Sequence, residues 1–184
     1  QLAQRAIQVP SFQNSFKMKH LNQWTNASVG FIDSIVWTKQ ATPCDEDEFI
    51  GDECMLGLDL ASKVDIAASV KVFRHRNEAE VSSKHPYRYT IVPKLYLPRG
   101  AILKKNNANY EGWGLGGHLQ IIDGEVIDFE HIEEDILADI KKFKVVDVPY
   151  DPWQATQLAQ RLVAQGVPMI EFPATVRNFS EPMK

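Results

Sequence analysis

The chain has 184 residues, of which 44% are apolar and 24% charged, and these ordinary values for one globular domain exclude wholesale disorder. No run of about eighteen apolar residues occurs, and residues 1–9 lack the apolar core of a signal peptide. We therefore expect a soluble protein with no membrane partner, whose two cysteines, Cys44 and Cys54, are reduced thiols.

The charge is distributed unevenly along the chain. The net charge is −4, yet the stretch from Lys71 to Lys105 contains nine Lys or Arg residues against two Glu residues. That stretch therefore has a charge of +7 and the other 149 residues have −11. Such asymmetry is typical of a protein with one phosphate-facing surface. A solvated, lysine-rich hairpin is the alternative explanation.

Residues 1–50 are predicted to be a lead-in segment, partly helical, and residues 51–184 a folded domain. In the lead-in, apolar residues from Leu21 to Val36, among them Trp24, Val29 and Ile32, recur at roughly helical spacing, and Pro43 ends the run. An exposed acidic loop follows at residues 45–48.

The domain opens with three predicted strands joined as an antiparallel meander. They cover Cys54–Leu60, Ile66–Phe73 and Tyr87–Leu97. Residues 114–117, rich in glycine, are predicted to be a flexible loop. The segment Ile121–Ile127 resembles a hairpin that turns on Asp-Gly.

Helices and strands then alternate. Asp128 is predicted to cap a helix that runs to about Phe143, and Phe143–Tyr150 forms a fourth strand. Asp151-Pro152 is predicted to open a helix that ends at Gly166, and Val167–Phe172 forms a fifth strand. The predicted class is therefore α/β, a mixed sheet of three antiparallel strands followed by parallel strands four and five, with helices packed on it.

This topology brings two distant acids to one edge of the sheet. A right-handed crossover makes strand four parallel to strand one and adjacent to it, so Asp59, late in strand one, and Asp151, just past strand four, meet at the carboxyl ends of their strands. Two ionised carboxylates without a cationic partner are tolerated best around a divalent metal. Alternatively, Asp59 is a solvent-edge acid and Asp151 a helix N-cap.

Two motifs resemble those of one protein family. The segment Gly57-Leu58-Asp59-Leu60-Ala61-Ser62 and the following Asp65-Ile66-Ala67-Ala68 resemble the first nuclease motif of phage terminase large subunits, commonly Gly-Leu-Asp-Leu-Ser-Ser followed by Asp-Leu-Thr-Ala. The segment Tyr150-Asp151-Pro152-Trp153-Gln154-Ala155 is similar to that family's Tyr-Asp-Arg-Trp-Asn-Ala motif. The resemblance covers nearly the whole chain.

The resemblance implies a ribonuclease-H-like endonuclease domain that cuts concatemeric viral DNA during genome packaging. Asp59 and Asp151 would be its catalytic, metal-binding acids, with Mg²⁺ or Mn²⁺ as cofactor and Asp65 as a further metal-ligand candidate. Double-stranded DNA is the implied substrate. The implied partners are a small terminase subunit and the portal or procapsid, and the implied location is the cytoplasm of the bacterial host.

The basic stretch supplies the candidate DNA-binding residues, which are Arg74, Arg76, Lys84 and Arg88. The family's packaging ATPase loop is absent from this sequence, and its third nuclease acid would follow Lys184. We therefore expect a domain that lacks its C-terminal end, and a chain that cuts DNA poorly as it stands.

Two other function classes share features with this sequence. An actin-like or sugar-kinase-like ATPase half also places an Asp at strand one before a hairpin, but its phosphate loop needs glycines that Leu60-Ala61-Ser62-Lys63 does not offer. A non-catalytic module that binds DNA or docks to other packaging proteins stays open. Titration with a divalent metal separates that module from the nuclease.

Overall fold

The computed structural model describes residues 2–21, 34–61, 63–77, 86–105 and 108–180. The chain divides into two units, Gln1–Asp45 and Glu46–Lys184. The described part of the first unit consists of three helices, α1 (Leu2–Gln8), α2 (Pro10–His20) and α3 (Ser34–Gln40).

The segment between Leu21 and Pro43, predicted to be partly helical, includes α3. Trp24, Val29 and Ile32 lie outside the described residues. The described helix α3 ends at Gln40, ahead of Pro43. Of the acidic loop that follows, Glu46–Phe49 forms one 3-10 turn.

The second unit is a six-stranded mixed sheet with helices packed on it. Its strands are β1 (Glu53–Asp59), β2 (Ala67–Arg76), β3 (Tyr87–Pro98), β4 (Gln120–Ile122), β5 (Lys144–Tyr150) and β6 (Met169–Glu171). Its helices are α4 (Arg99–Lys105), α5 (Ala108–Leu115), α6 (Phe129–Lys142), α7 (Thr156–Ala164) and α8 (Val176–Ser180).

The strand order is β4-β3-β2-β1-β5-β6. Strands β1, β2 and β3 pair antiparallel, whereas β5 pairs parallel with β1 and β6 pairs parallel with β5. This arrangement confirms the predicted α/β class, with β5 and β6 as the predicted strands four and five. None of the helices in the described ranges combines the length and apolarity needed to cross a bilayer.

One face of the sheet is buried beneath α6 and α7. Leu56 and Leu58 of β1 point into this core, and the alternating burial of β1 shows that its odd-numbered residues face the other way. The helices contribute fully buried apolar side chains, namely Ile132, Ile136, Leu158 and Leu162. Burial of this stripe is the main force that holds α6 and α7 on the sheet.

Predicted signals define both ends of this helical layer. The Asp128 carboxylate caps α6 by accepting a hydrogen bond from the Glu130 amide at 3.0 Å. Gly166 adopts φ +82° just after α7, a conformation in which any side chain would be strained. Both predictions are confirmed.

The β1–β5 pairing contains one irregularity. Cys54 pairs with Val145 but Met55 pairs with Asp147, so β5 has one extra residue, Val146, between the two paired positions. Such a bulge changes the phase of the strand that contains it. Downstream of the bulge the pairing continues to Leu58 and Tyr150.

The predicted hairpin over residues 121–127 is wrong. Gln120–Ile122 forms an edge strand parallel to β3, and the Asp-Gly segment is a bend in which the Gly124 carbonyl accepts a hydrogen bond from the Gly100 amide at 2.9 Å. The parallel pairing is possible because α4 and α5, which were not predicted, form the crossover between β3 and β4.

Two further predictions need correction. Gly114 lies within α5 rather than in a flexible loop, and a Cβ on it would fall 2.3 Å from Ile121 Cδ1, so a larger residue there would displace the Ile121 side chain. The helix predicted to open at Asp151-Pro152 begins instead at Thr156, after a turn in which Gln154 has φ +63°.

A buried lysine links the sheet to its helical layer. Lys71 of β2 is 3% exposed, and its Nζ lies 3.1 Å from both carboxylate oxygens of Asp139 and 3.0 Å from Glu46 Oε2. Burial raises the pKa of Asp139, and the positive charge of Lys71 opposes that shift. Lys71 is therefore part of the core and not of a phosphate-facing surface.

We expect Lys71→Met to lower the free energy of unfolding by about 3 kcal/mol, because it leaves two carboxylates without their buried cation. Denaturant unfolding measures this change. The control Lys144→Met breaks an exposed pair with Glu53 and should change stability little. In the Lys71→Met/Asp139→Leu double variant, much of the loss should be recovered. A double variant as unstable as the single one would contradict this role of the ion pair.

Both cysteines are thiols, as predicted, but their environments differ. Cys44 is exposed and Cys54 is buried. Burial, followed by the negative charge of Asp139, raises the pKa of Cys54 to about 11, and Lys71 partly opposes the shift.

At pH 8 we expect one thiol to react rapidly with an aromatic disulfide reagent and the Cys54 thiol to react only on unfolding, because only the thiolate attacks and burial excludes the reagent. Because the raised pKa belongs to the folded state, ionisation of Cys54 should lower stability as the pH rises from about 9 to about 11. The unfolding free energy of Cys54→Ala should lack this component. Rapid labelling of two native thiols would contradict the prediction.

Candidate active site

Asp59 is the last residue of β1, at the strand's carboxyl end. It pairs with Ala68 of β2, and its side chain is exposed. The buried residue before it, Leu58, pairs across the parallel ladder with Tyr150. Asp59 therefore extends from the sheet face opposite to the α6–α7 core.

Asp151 directly follows β5 and is half-buried. Its carboxylate is held by two backbone amides: Oδ1 accepts from the Trp153 amide and Oδ2 from the Ala174 amide, both at 2.8 Å. Trp153 lies in the turn after β5, and Ala174 lies beyond β6. Each carboxylate oxygen keeps further acceptor capacity, because an ionised carboxylate has about four lone-pair sites.

The parallel register brings these two acids to adjacent positions at one edge of the sheet. Each is the residue that follows a member of the Leu58–Tyr150 pair, and residues paired across a parallel ladder share a face. In the part of the chain that the structure describes, no lysine or arginine forms an ion pair with either acid. Among the described residues, the carboxyl ends of β1 and β5 therefore present two carboxylates without a cationic partner.

This donor set suits a hard divalent cation. Mg²⁺ is usually bound through one or two carboxylates, and its remaining ligands are waters and substrate phosphates. Asp65 lies in an exposed bend ahead of β2. Within the described ranges, no three His, Cys, Asp or Glu side chains are grouped so as to hold a metal, so Asp65 does not complete such a group with Asp59 and Asp151.

Four of the nine basic residues in the stretch from Lys71 to Lys105 are paired with acids. Lys71 contacts Asp139 and Glu46, and the other pairs are Lys94–Asp135, Arg99–Asp123 and Lys104–Glu125. The expectation that the stretch from Lys71 to Lys105 faces phosphate is therefore wrong for Lys71, which is buried. Lys94, Arg99 and Lys104 remain exposed at least in part, but their ion pairs make them weaker candidates for phosphate contacts. Their charge is offset locally by carboxylates from other elements.

Three of the four candidate DNA-binding residues are exposed on the β2–β3 ribbon, and Lys84 lies outside the described residues. By strand alternation Arg74 and Arg76 share the face of Asp59, while Arg88 points to the reverse face. Arg74 lies over the Tyr87 ring, 4.9 Å from its centroid. Arg74 is six residues along β2 from the partner of Asp59, which is about 20 Å.

Sequence reasoning missed how Asp151 is held. The Asp-Pro pair was interpreted as a helix start, but the Asp151 side chain bonds the amide two residues ahead and forms an Asx turn. An Asp before Pro-Trp is compatible with such a turn, so that contact was detectable from sequence. The contact with Ala174, 23 residues later, depends on the β5–β6 pairing, so it could not be detected from the sequence.

Comparisons with known proteins identify a family and two relatives. The family model for the terminase large subunit endonuclease domain matches residues 1–184. Protein YmfN of Escherichia coli (strain K12) is 28% identical over 193 aligned positions, which cover 98% of this chain and 40% of that protein. The terminase large subunit of Enterobacteria phage HK97 is 27% identical over 179 positions, which cover 92% of this chain and 32% of that protein.

The fold also matches a solved structure. The crystal structure of the HK97 bacteriophage large terminase superposes with a TM-score of 0.64 at 23% identity, over 99% of this chain and 36% of that one. The chain thus spans less than half the length of these relatives. Because the family model matches the chain from its first residue to its last, this protein belongs to the family of terminase large subunit endonuclease domains.

Proposed function

We propose that this chain is a divalent-metal-dependent endonuclease domain that cuts concatemeric viral DNA during genome packaging. The observation that carries the proposal is the adjacent placement of Asp59 and Asp151 beyond the Leu58–Tyr150 pair, with no basic partner among the described residues. Membership of the terminase endonuclease family supports the reaction class. Mg²⁺ or Mn²⁺ is the proposed cofactor, and the proposed location is the bacterial host cytoplasm.

Asp59 and Asp151 would hold the ion through carboxylate oxygens. When bound, the ion supplies Lewis-acid chemistry, since it lowers the pKa of a coordinated water and offsets charge on the scissile phosphate. The chain itself contributes orientation: the Trp153 and Ala174 amides fix the Asp151 carboxylate, and the strand ladder fixes Asp59 beside it. Asp65 is proposed to act through water rather than as a direct ligand.

Double-stranded DNA is the proposed substrate, and Arg74 and Arg76 are the proposed phosphate contacts. They share the face of the acids but lie about 20 Å or more along β2, which is about six phosphate steps of one DNA strand. They would therefore anchor the duplex rather than act at the scissile bond. In the longer proteins of the family, the small terminase subunit and the portal or procapsid are the proposed partners.

A second function, a non-catalytic DNA-binding or docking module, is favoured by one observation. No group of three possible ligands is arranged around a metal position anywhere in the described ranges. Two carboxylates can bind one divalent ion more readily than two divalent ions. We therefore expect weak nicking of DNA, which Mn²⁺ promotes better than Mg²⁺. Complete absence of divalent-ion binding would favour the second function.

We predict that Asp59→Asn weakens Mn²⁺ binding at least about tenfold, because it removes one of two anionic ligands. Isothermal titration calorimetry measures the affinity, and nicking of supercoiled plasmid should fall in parallel. Asp151→Asn should behave similarly, although it also disturbs the contact with Ala174. The matched control is Asp147→Asn, which removes a carboxylate from the middle of β5. Equal Mn²⁺ affinity in the Asp59→Asn variant and the wild type would overturn the proposal.

For DNA, we predict that the Arg74→Glu/Arg76→Glu variant binds duplex more weakly and that the slope of log affinity against log salt falls by about one unit per lost contact. Fluorescence anisotropy at several salt concentrations measures both quantities. The control Arg99→Glu/Lys104→Glu makes the same change in net charge at residues that are paired with acids. Equal weakening by the two double variants would reduce the effect to net charge alone and contradict a specific contact surface.

A further inference from the structure

The peptide bond between Pro173 and Ala174 is held on both sides. Its N–H, on Ala174, donates to Asp151 Oδ2 at 2.8 Å, and its carbonyl, on Pro173, accepts from Asn178 Nδ2 at 2.8 Å. A carbonyl oxygen can only accept, so the Asn178 side chain must present its NH₂ group there. One peptide unit therefore connects the Asn178 amide to the Asp151 carboxylate.

We infer that Asn178 is a positioning residue for Asp151. Because a peptide unit is planar, fixing its carbonyl also fixes the direction of its N–H. Hydrogen bonds in series polarise one another, so the Asn178 contact also strengthens the amide donor that Asp151 receives. This inference rests on the proposed role of Asp151 as a metal ligand.

Asn178 is itself fixed by the start of α8. Its backbone amide bonds to Thr175, with the carbonyl oxygen at 3.1 Å and Oγ1 at 3.3 Å. Next to it, the Phe179 ring lies 5.7 Å from the Phe172 ring, and the Phe172 amide bonds to the Tyr150 carbonyl at 2.8 Å. The position of α8 is thereby tied to the end of β5, where Asp151 begins.

The arrangement explains why an exposed five-residue helix matters to the site. Groups that orient a metal ligand through hydrogen bonds affect metal affinity by about 10–100-fold when they are removed. Asn178 acts through one intervening peptide, so we expect an effect at the lower end of that range. The direct ligands would remain in place, so a saturating concentration of the ion should restore most of the maximal rate.

The experiment compares Asn178→Asp and Asn178→Ala with wild type in the full chain. Asn178→Asp keeps the shape of the side chain but lacks the donor. The control Arg177→Ala changes the neighbouring exposed residue on α8. The readouts are the Mn²⁺ dissociation constant by calorimetry, the Mn²⁺ concentration for half-maximal plasmid nicking, and hydrogen exchange of the Ala174 amide by NMR without metal.

We expect both Asn178 variants to weaken Mn²⁺ binding about tenfold, to raise the half-maximal Mn²⁺ concentration similarly, and to exchange the Ala174 amide faster, while Arg177→Ala matches wild type. Two results would overturn the inference about Asn178 and leave the proposed function standing. One is unchanged exchange of the Ala174 amide in the Asn178 variants. The other is unchanged Mn²⁺ affinity in the Asn178 variants when the Asp59→Asn variant has lost that affinity. If wild type and Asp59→Asn bind Mn²⁺ equally poorly, the proposed function fails, and amide exchange then decides whether Asn178 positions Asp151.

Discussion

The parallel ladder between β1 and β5 is the constraint on which the candidate site depends. Each strand has a buried residue, Leu58 or Tyr150, immediately before an acid, and the ladder pairs these two residues directly. Burial of Leu58 and Tyr150 against the helical layer therefore places Asp59 and Asp151 on the opposite side, where they are accessible. The burial of apolar residues on one face of the sheet thus fixes where the two acids lie on the other.

The acids of this domain fall into two groups, which differ in the groups that contact their carboxylates. Asp139, beneath the sheet, is compensated by the buried cation Lys71, and Asp135 is compensated by Lys94 and by the Tyr96 hydroxyl at 2.8 Å. At the end of β5, the donors to Asp151 among the described residues are two neutral backbone amides. Amides orient a carboxylate without neutralising its charge, which is why Asp151 is a proposed metal ligand and Asp139 is not.

How much could be predicted from sequence follows from the range of the interactions. The apolar run around Asp59 and the alternating helices and strands are local patterns, and they were sufficient for the sheet order around β1 and β5. The burial of Lys71 could not be predicted from the sequence, because Val70 and Val72 on one face of β2 are as apolar as Phe73 on the other. Only the packing of α6 decides which face is the core. Likewise, Asn178 can be connected with Asp151 only when β6 pairs with β5, because that pairing brings the Pro173–Ala174 peptide to Asp151.

The bulge in β5 has a consequence for how this domain tolerates change in length. The extra residue, Val146, lies in β5 between Val145, the partner of Cys54, and Asp147, the partner of Met55. If Val146 instead paired with Met55 in a continuous ladder, Leu58 would align with Pro149, and Asp151 would move one step past Asp59 and turn toward the helical layer. The register between Asp59 and Asp151 therefore depends on one exposed residue, Val146, remaining outside the ladder. A residue inserted or deleted between Asp147 and Tyr150 would shift Asp151 by one position relative to Asp59 and turn it to the other face, whereas a substitution there would keep the register.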